Sequence, residues 1–276
     1  MRTRRLLLTV AAFGVLLAGC GTAQPADQAS LSSSPTPTAS APATASPAAG
    51  VTLRYAGNAQ VELSANGGAR VLIDVYDPDA LSAPPTADDV LLTTHRHDDH
   101  VSAGFPDGFP GEQLFVREGA LETPDATITG VAAAHSQGDR LAAKGGTDYI
   151  FIVDMGGMRI AHFGDLGQTA LTRGQLKALG DVDIAVTQFD NSFSQMDTTN
   201  LKGFKLMQQV KPRLIVQTHS SLAAVEHAGT LWPLLYSERP WVTFTAAGLP
   251  ATTSLLLLGD DAAFYAEQVP AEKVDW

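Results

Sequence analysis

The stretch Thr94-His95-Arg96-His97-Asp98-Asp99-His100, THRHDDH in one-letter code, places three of the chain's seven histidines within six positions and adds two aspartates. It follows the apolar run DVLLTT, residues 89–94, which reads as a strand. Its side chains therefore emerge at a strand end, where a rigid scaffold usually carries functional loops. His95 and His97, two apart, point the same way if the chain stays extended. Asp99 and His100 belong to the turn that follows and face a neighbouring point. Imidazole and carboxylate together suit zinc and similar first-row divalent ions, and a cluster using both reads as two adjacent metal positions more naturally than as one.

Such a cluster needs a frame. Short apolar, β-branched runs separated by turn signals predict strands at 51–57, 60–63 and 70–75, with Asn66-Gly67-Gly68 as a hairpin turn, so the folded part opens as an antiparallel meander. Further strands are expected at 89–94, 113–116, 127–133, 148–153, 158–163, 183–187 and 213–217. Helical spacing predicts helices over 168–179, ended by Gly180, and over 199–211, where Leu201, Phe204, Met207 and Val210 recur before Pro212. Strands alternating with helices imply a sheet packed beneath helices. The C-terminal segment is apolar enough to pack as a final strand layer, with Trp232, Trp241 and Phe244 in the core.

The first 50 residues stand apart. MRTRRLLLTVAAFGVLLAGC has three arginines, an apolar run and small residues, the layout of a secretory signal peptide and too short for a stable membrane span. Cys20 is the only cysteine, so no internal disulfide is available and an attachment point explains it best. Residues 21–50 are almost wholly Ala, Ser, Thr, Pro and Gly, a composition that cannot bury enough apolar surface to fold and reads as a tether. Residues 51–276 carry 15 basic and 28 acidic residues, a formal charge of −13. That balance argues against nucleic acid as a partner, since its binding depends on neutralising phosphates. A small-molecule substrate is expected instead.

THRHDDH resembles the His-x-His-x-Asp-His motif of the metallo-β-lactamase superfamily. The later elements of that pattern are matched by His135 in AAAHSQGD, Asp165 in AHFGDLG and His219 in VQTHSS, and Ile73-Asp74 resembles the early hairpin region. The likeness runs from 51 to about 221. GGTDYIFIV, MRIAHFGDLG and VKPRLIVQTHS are closest in look to the branch that includes ascorbate-6-phosphate lactonase, and Leu17-Ala18-Gly19-Cys20 resembles the bacterial lipobox. The resemblance implies an α/β four-layer αββα sandwich over 51–276. It also implies lipidation of Cys20 and an extracytoplasmic protein anchored to the bacterial membrane.

Carried over by position, the resemblance implies that His95, His97 and His135 hold one metal, that Asp99, His100 and His219 hold a second, and that Asp165 bridges them. The ions would be zinc, or else manganese or iron. Two divalent ions about 3.5–4 Å apart can share a water and present a bridging hydroxide to an electrophilic centre, and Asp99 can relay its proton. The reaction expected is hydrolysis of a small ester, lactone, amide or phosphoester. A lipid-anchored metal-containing binding protein without turnover and a phospholipase-like lipid hydrolase are the rivals. Asp74 is expected as a buried carboxylate hydrogen-bonded to the ligand loop, and His162 as a residue packed behind the ligands. The loop 188–200 offers Asp190, Asn191, Phe193 and Met196 as pocket residues.

Overall fold

Alternating burial along the strands sorts the apolar side chains onto two sheets. In the computed structural model, which describes residues 50–65, 67–135, 147–259 and 261–276, the first sheet holds six strands. These are β1 (Val51–Tyr55), β2 (Val61–Ala65), β3 (Arg70–Ile73), β4 (Val90–Thr93), β5 (Glu112–Phe115) and β13 (Trp241–Phe244), in the order β13-β1-β2-β3-β4-β5. The second sheet is nine-stranded, with β6 (Gly119–Glu122), β7 (Ala126–Ala133), β8 (Asp148–Met155), β9 (Met158–His162), β10 (Ile184–Gln188), β11 (Leu214–Thr218), β12 (Leu234–Ser237), β14 (Ser254–Leu258) and β15 (Glu272–Lys273). Its order is β15-β12-β14-β11-β10-β9-β8-β7-β6.

One set of alternate side chains from each sheet meets in a shared core: Leu53, Leu63, Ile73 and Leu92 from the first, Phe151, Ile160, Val186 and Val216 from the second. The opposite faces of the second-sheet strands, through Ile152, Ala185 and Ile215, receive α2 (Arg173–Leu179), α3 (Lys202–Val210) and α4 (Leu222–Gly229). Leu72, Val75, Leu91 and Phe109 form a smaller cluster on the outer face of the first sheet, beside the one-turn helix α1 (Phe105–Gly108). The architecture is the four-layer αββα sandwich. Each fully buried Leu, Ile, Val or Phe contributes roughly 1.5–3 kcal/mol, so the period-2 pattern largely decides the layering.

The opening meander is antiparallel from β1 through β3. β4 then pairs parallel to β3, and β9, β10, β11 and β14 are mutually parallel. Parallel pairing gathers strand C-termini along one edge, where the loops that follow them meet.

Local chemistry sets where the helices begin. α2 starts at Arg173 and not at 168, because Thr172 accepts the Gln175 N–H while the Gln175 side chain accepts the Thr172 N–H. α3 starts at Lys202, after Asp197 and Asn200 have captured the preceding amides. The C-terminal segment departs from the single strand layer expected: β13 joins the first sheet beside β1, β12, β14 and β15 join the second, and α5 (Ala262–Gln268) lies between β14 and β15 in sequence. Trp241 is not a core residue. It occupies the outward face of β13, 37% exposed, with the Arg239 guanidinium 5.1 Å from its ring. Phe244 is buried and Trp232 is half-buried, stacked on Phe204.

The expected signal segment, Cys20 and the tether up to residue 49 lie outside the described residues, as does Asn66 of the predicted turn. Among the described residues no helix is long and apolar enough to cross a membrane.

Candidate metal centre

Four strand ends supply the cluster. His95, His97, Asp99 and His100 follow β4, His135 follows β7, Asp165 follows β9 and His219 follows β11. His95, His97, His135 and Asp165 bring one potential ligand atom each to within 4.8 Å of one another, and Asp99, His100 and His219 do the same beside them. Asp165 lies between the two groups. Its Oδ2 is 3.5 Å from His135 Nε2 and 3.8 Å from His95 Nε2, whereas its Oδ1 is 3.3 Å from His100 Nε2 and 3.4 Å from His219 Nε2. The nitrogens pair off similarly, at 3.1 Å for His95 Nε2 and His97 Nδ1 and 3.3 Å for His100 and His219 Nε2.

These separations suit divalent metal. Two ligands about 2.1 Å from one tetrahedral ion stand about 3.4 Å apart. His135 Nε2 and Asp165 Oδ1 are also buried without a hydrogen-bond partner among the described residues, a costly condition unless something else satisfies them.

The backbone and neighbouring side chains aim the rings. Asp74 sits in the left-handed region, φ 52°, and its oxygens accept from the Thr94 amide at 2.8 Å and the Thr94 hydroxyl at 2.7 Å. The same carboxylate lies 2.8 Å from His100 Nδ1, which leaves Nε2 facing Asp165. His135 is tied by its amide to Thr147 Oγ1 at 2.9 Å, and the His219 carbonyl accepts from the Phe189 and Asp190 amides. Gly164 and Gly167 bracket Asp165. Gly164 is left-handed, φ 50°, and a Cβ at Gly167 would overlap the His135 carbonyl oxygen.

His162 points away from the cluster. Its Nε2 donates to the Ala59 carbonyl at 2.9 Å and its Nδ1 accepts from the Gly164 amide at 3.2 Å, so both ring nitrogens are engaged.

Electrostatics separates the histidines. Burial alone would lower His100, but Asp74 and Asp165 outweigh it and raise the ring to about 11. Burial, then the charge on His100, lowers His95 to about 4, and burial likewise lowers His97 and His219. Burial works to raise Asp165, yet His100, His135 and His219 together hold it far below the usual carboxylate range. Burial and the Asp165 charge push Asp148 well above that range. Since His95 is neutral, the 3.4 Å separation of its Nδ1 from Asp148 Oδ1 is not an ion pair.

The loop 188–200 behaves differently from expectation. Met196 is 1% exposed, packed in the core with Phe189 and Phe204, and is corrected from a pocket residue to a structural one. Asp190 accepts from the Ser221 hydroxyl at 2.5 Å, which ties the loop to α4. Asn191 donates to Asp165 Oδ2 at 2.7 Å. Phe193, 69% exposed with its ring 6.0 Å from that of His97, stands beside the cluster. A recess lies on the His219 side, a cavity of about 710 Å³ lined by Arg54, Tyr55, Tyr76, Asp77, Asp261 and His219 among others. Sequence reasoning missed it because its walls come from segments some 200 residues apart. It also missed Asp148, whose only signal is a lone charge at the head of the apolar strand DYIFIV.

Comparison with known proteins agrees with this geometry. Residues 52–219 match the family model of the beta-lactamase superfamily domain. Among solved structures, one described as a zinc-dependent hydrolase of the metallo-β-lactamase superfamily from Thermotoga maritima aligns with TM-score 0.56 at 17% identity, covering 76% of this chain and 100% of the other. One described as a metal-dependent hydrolase from Parabacteroides distasonis aligns with TM-score 0.51 at 17% identity, covering 76% and 94%. No curated protein sequence matches the chain. The match over more than half the chain, on this fold and around this His/Asp cluster, identifies it: the chain belongs to the metallo-β-lactamase superfamily and carries a cluster able to hold metal.

Proposed function

We propose that the chain is a hydrolase that works with two divalent metal ions, zinc foremost with manganese or iron as alternatives, and cleaves a small ester, lactone, amide or phosphoester. His95, His97 and His135 would hold one ion, Asp99, His100 and His219 the other, and Asp165 both. The observation that carries this reading is the division of Asp165, one oxygen toward each histidine group. When bound, the ions supply Lewis acidity that polarises the scissile group and brings a water near neutral pKa.

The chain's own residues do the rest. Asn191 fixes the Asp165 carboxylate by its 2.7 Å hydrogen bond, and Asp74 sets the ring of His100. Asp99, half-exposed beside His100 and His219, is placed to take a proton from the attacking water and pass it to the leaving group. The cavity beside His219 takes the non-reacting part of the substrate. The likeness to the ascorbate-6-phosphate lactonase branch makes lactones the first class to try. The signal-like segment ending at Cys20 supports a lipid-anchored enzyme outside the membrane.

The test is metal content per chain by elemental mass spectrometry on protein purified without chelator, followed by a panel of lactones, esters and phosphodiesters. About two equivalents with turnover are expected. No uptake, even after added zinc or manganese, would sink the reading; uptake without turnover would favour a binding protein.

A further inference from the structure

We infer that Asp148 is a positioning residue for the metal position at His95: its carboxylate receives the His95 Nδ1–H and so holds Nε2 toward Asp165. The inference rests on the two-metal reading above. Asp148 opens β8, opposite Ala133 in the β7–β8 ladder, and is 0% exposed. Neither of its oxygens has a hydrogen-bond partner among the described residues, and Oδ1 lies 3.4 Å from His95 Nδ1. The neighbourhood is shaped around it, since a Cβ at Gly164 would come within 2.6 Å of Asp148 Oδ1.

A buried carboxyl left without partners is costly and needs a use. The other half of the centre shows that use already in place. His100 Nδ1 lies 2.8 Å from Asp74 Oδ2, and its Nε2 faces Asp165. His95 repeats the arrangement with Asp148, more loosely. Metal on Nε2 leaves the ring proton on Nδ1, where a carboxylate fixes the tautomer and raises the ligand's basicity. Thr94 Oγ1 is also near, 3.1 Å from His95 Nδ1, but its own proton goes to Asp74 at 2.7 Å. It serves as a second acceptor beside the Asp148 carboxyl.

The experiment is a zinc titration of the full chain against a chelating indicator, for wild type, Asp148→Asn and Asp148→Leu, with a melt of each metal-free protein. The expected result is that one of the two equivalents weakens about 10–100-fold, more in the Leu variant, while the other stays within about threefold. The metal-free melting temperature of the Leu variant should hold or rise, because an unmatched buried polar group has gone. Both affinities unchanged against a two-metal wild type would overturn this inference alone. A lower melting temperature with both equivalents weakened together would also overturn it, as the mark of a structural residue. A wild-type chain that takes up no zinc would overturn the two-metal reading and this inference with it.

Discussion

Two buried charged networks in this molecule have opposite finish. Under the first sheet, Arg70 grips Asp89 through Nη2 at 2.7 Å and Nε at 3.3 Å, its backbone N–H adds a bond at 2.8 Å, and the carbonyls of Ala83 and Pro84 and the Ser82 hydroxyl take the remaining guanidinium protons. Glu62 completes the group with Ser82. At the strand ends, by contrast, Asp148, Asp165 Oδ1 and His135 Nε2 are as deeply buried and have no such partners. A buried charge satisfied by the chain alone serves the fold. A buried polar group left open serves something the chain must acquire.

The comparison can be broken at either network. Asp165→Ala should have the largest effect: both metal equivalents lost, and turnover down about a thousandfold or more, the equivalent of about 4 kcal/mol of transition-state stabilisation. Elemental analysis beside kcat/KM checks it, and a variant that keeps both ions would end the bridging role. Arg70→Met should cost about 3–5 kcal/mol in a denaturant titration, by stranding Asp89 and Glu62, while leaving metal stoichiometry unchanged. If that variant sheds metal while still folded, the two networks are not separable as argued.

Smaller effects sharpen the contrast within the centre. Asp99→Asn should lower kcat on the order of a hundredfold with metal content near wild type, as expected of a proton relay. His162→Ala should retain both ions and cost about 1–3 kcal/mol for the stranded Ala59 carbonyl, whereas His135→Ala should empty one position; the reverse pattern in a metal assay would overturn the ligand set.

The smallest change per step is in pH, about 1.4 kcal/mol per unit for one group. His100, raised to about 11 in the folded chain, contributes stability that is fully present below its ordinary value of about 6.5 and is lost as pH rises toward 11. His95, lowered to about 4, contributes stability present above about 6.5 and lost as pH falls. Metal-free protein should therefore melt highest near pH ~6.5 and lower on both sides. A plateau extending to alkaline pH would mean that His100 is not held as an imidazolium.

How much of this could be read from sequence depends on the range of each signal. Strand alternation is local, so the parallel run β9-β10-β11 and the placement of His95, His135, Asp165 and His219 at strand ends are legible from neighbours alone. The left-handed turn of Asp74 is not, since the run 70–75 reads as strand through it whereas β3 ends at Ile73. The cavity beside His219 is not, because Arg54, Asp77 and Asp261 meet only through the sandwich. Met196 misled because it sits in a polar loop, while its depth is set by Gly203, whose lack of a side chain admits the sulfur. The short helix α4 has a Ser221 cap but too few turns for periodicity to separate it from a loop.

Gly167 carries a consequence for tracing this protein's kin. Any side chain there would collide with the carbonyl of His135 and displace a member of the cluster. Position 167 is thus a marker that can be checked in a bare sequence: a relative that retains His135 but has replaced the glycine has either rebuilt the loop after β7 or abandoned the centre. Swapping Gly167 for Ala in this chain and assaying metal would calibrate that marker before it is used to sort related genes into working enzymes and repurposed copies.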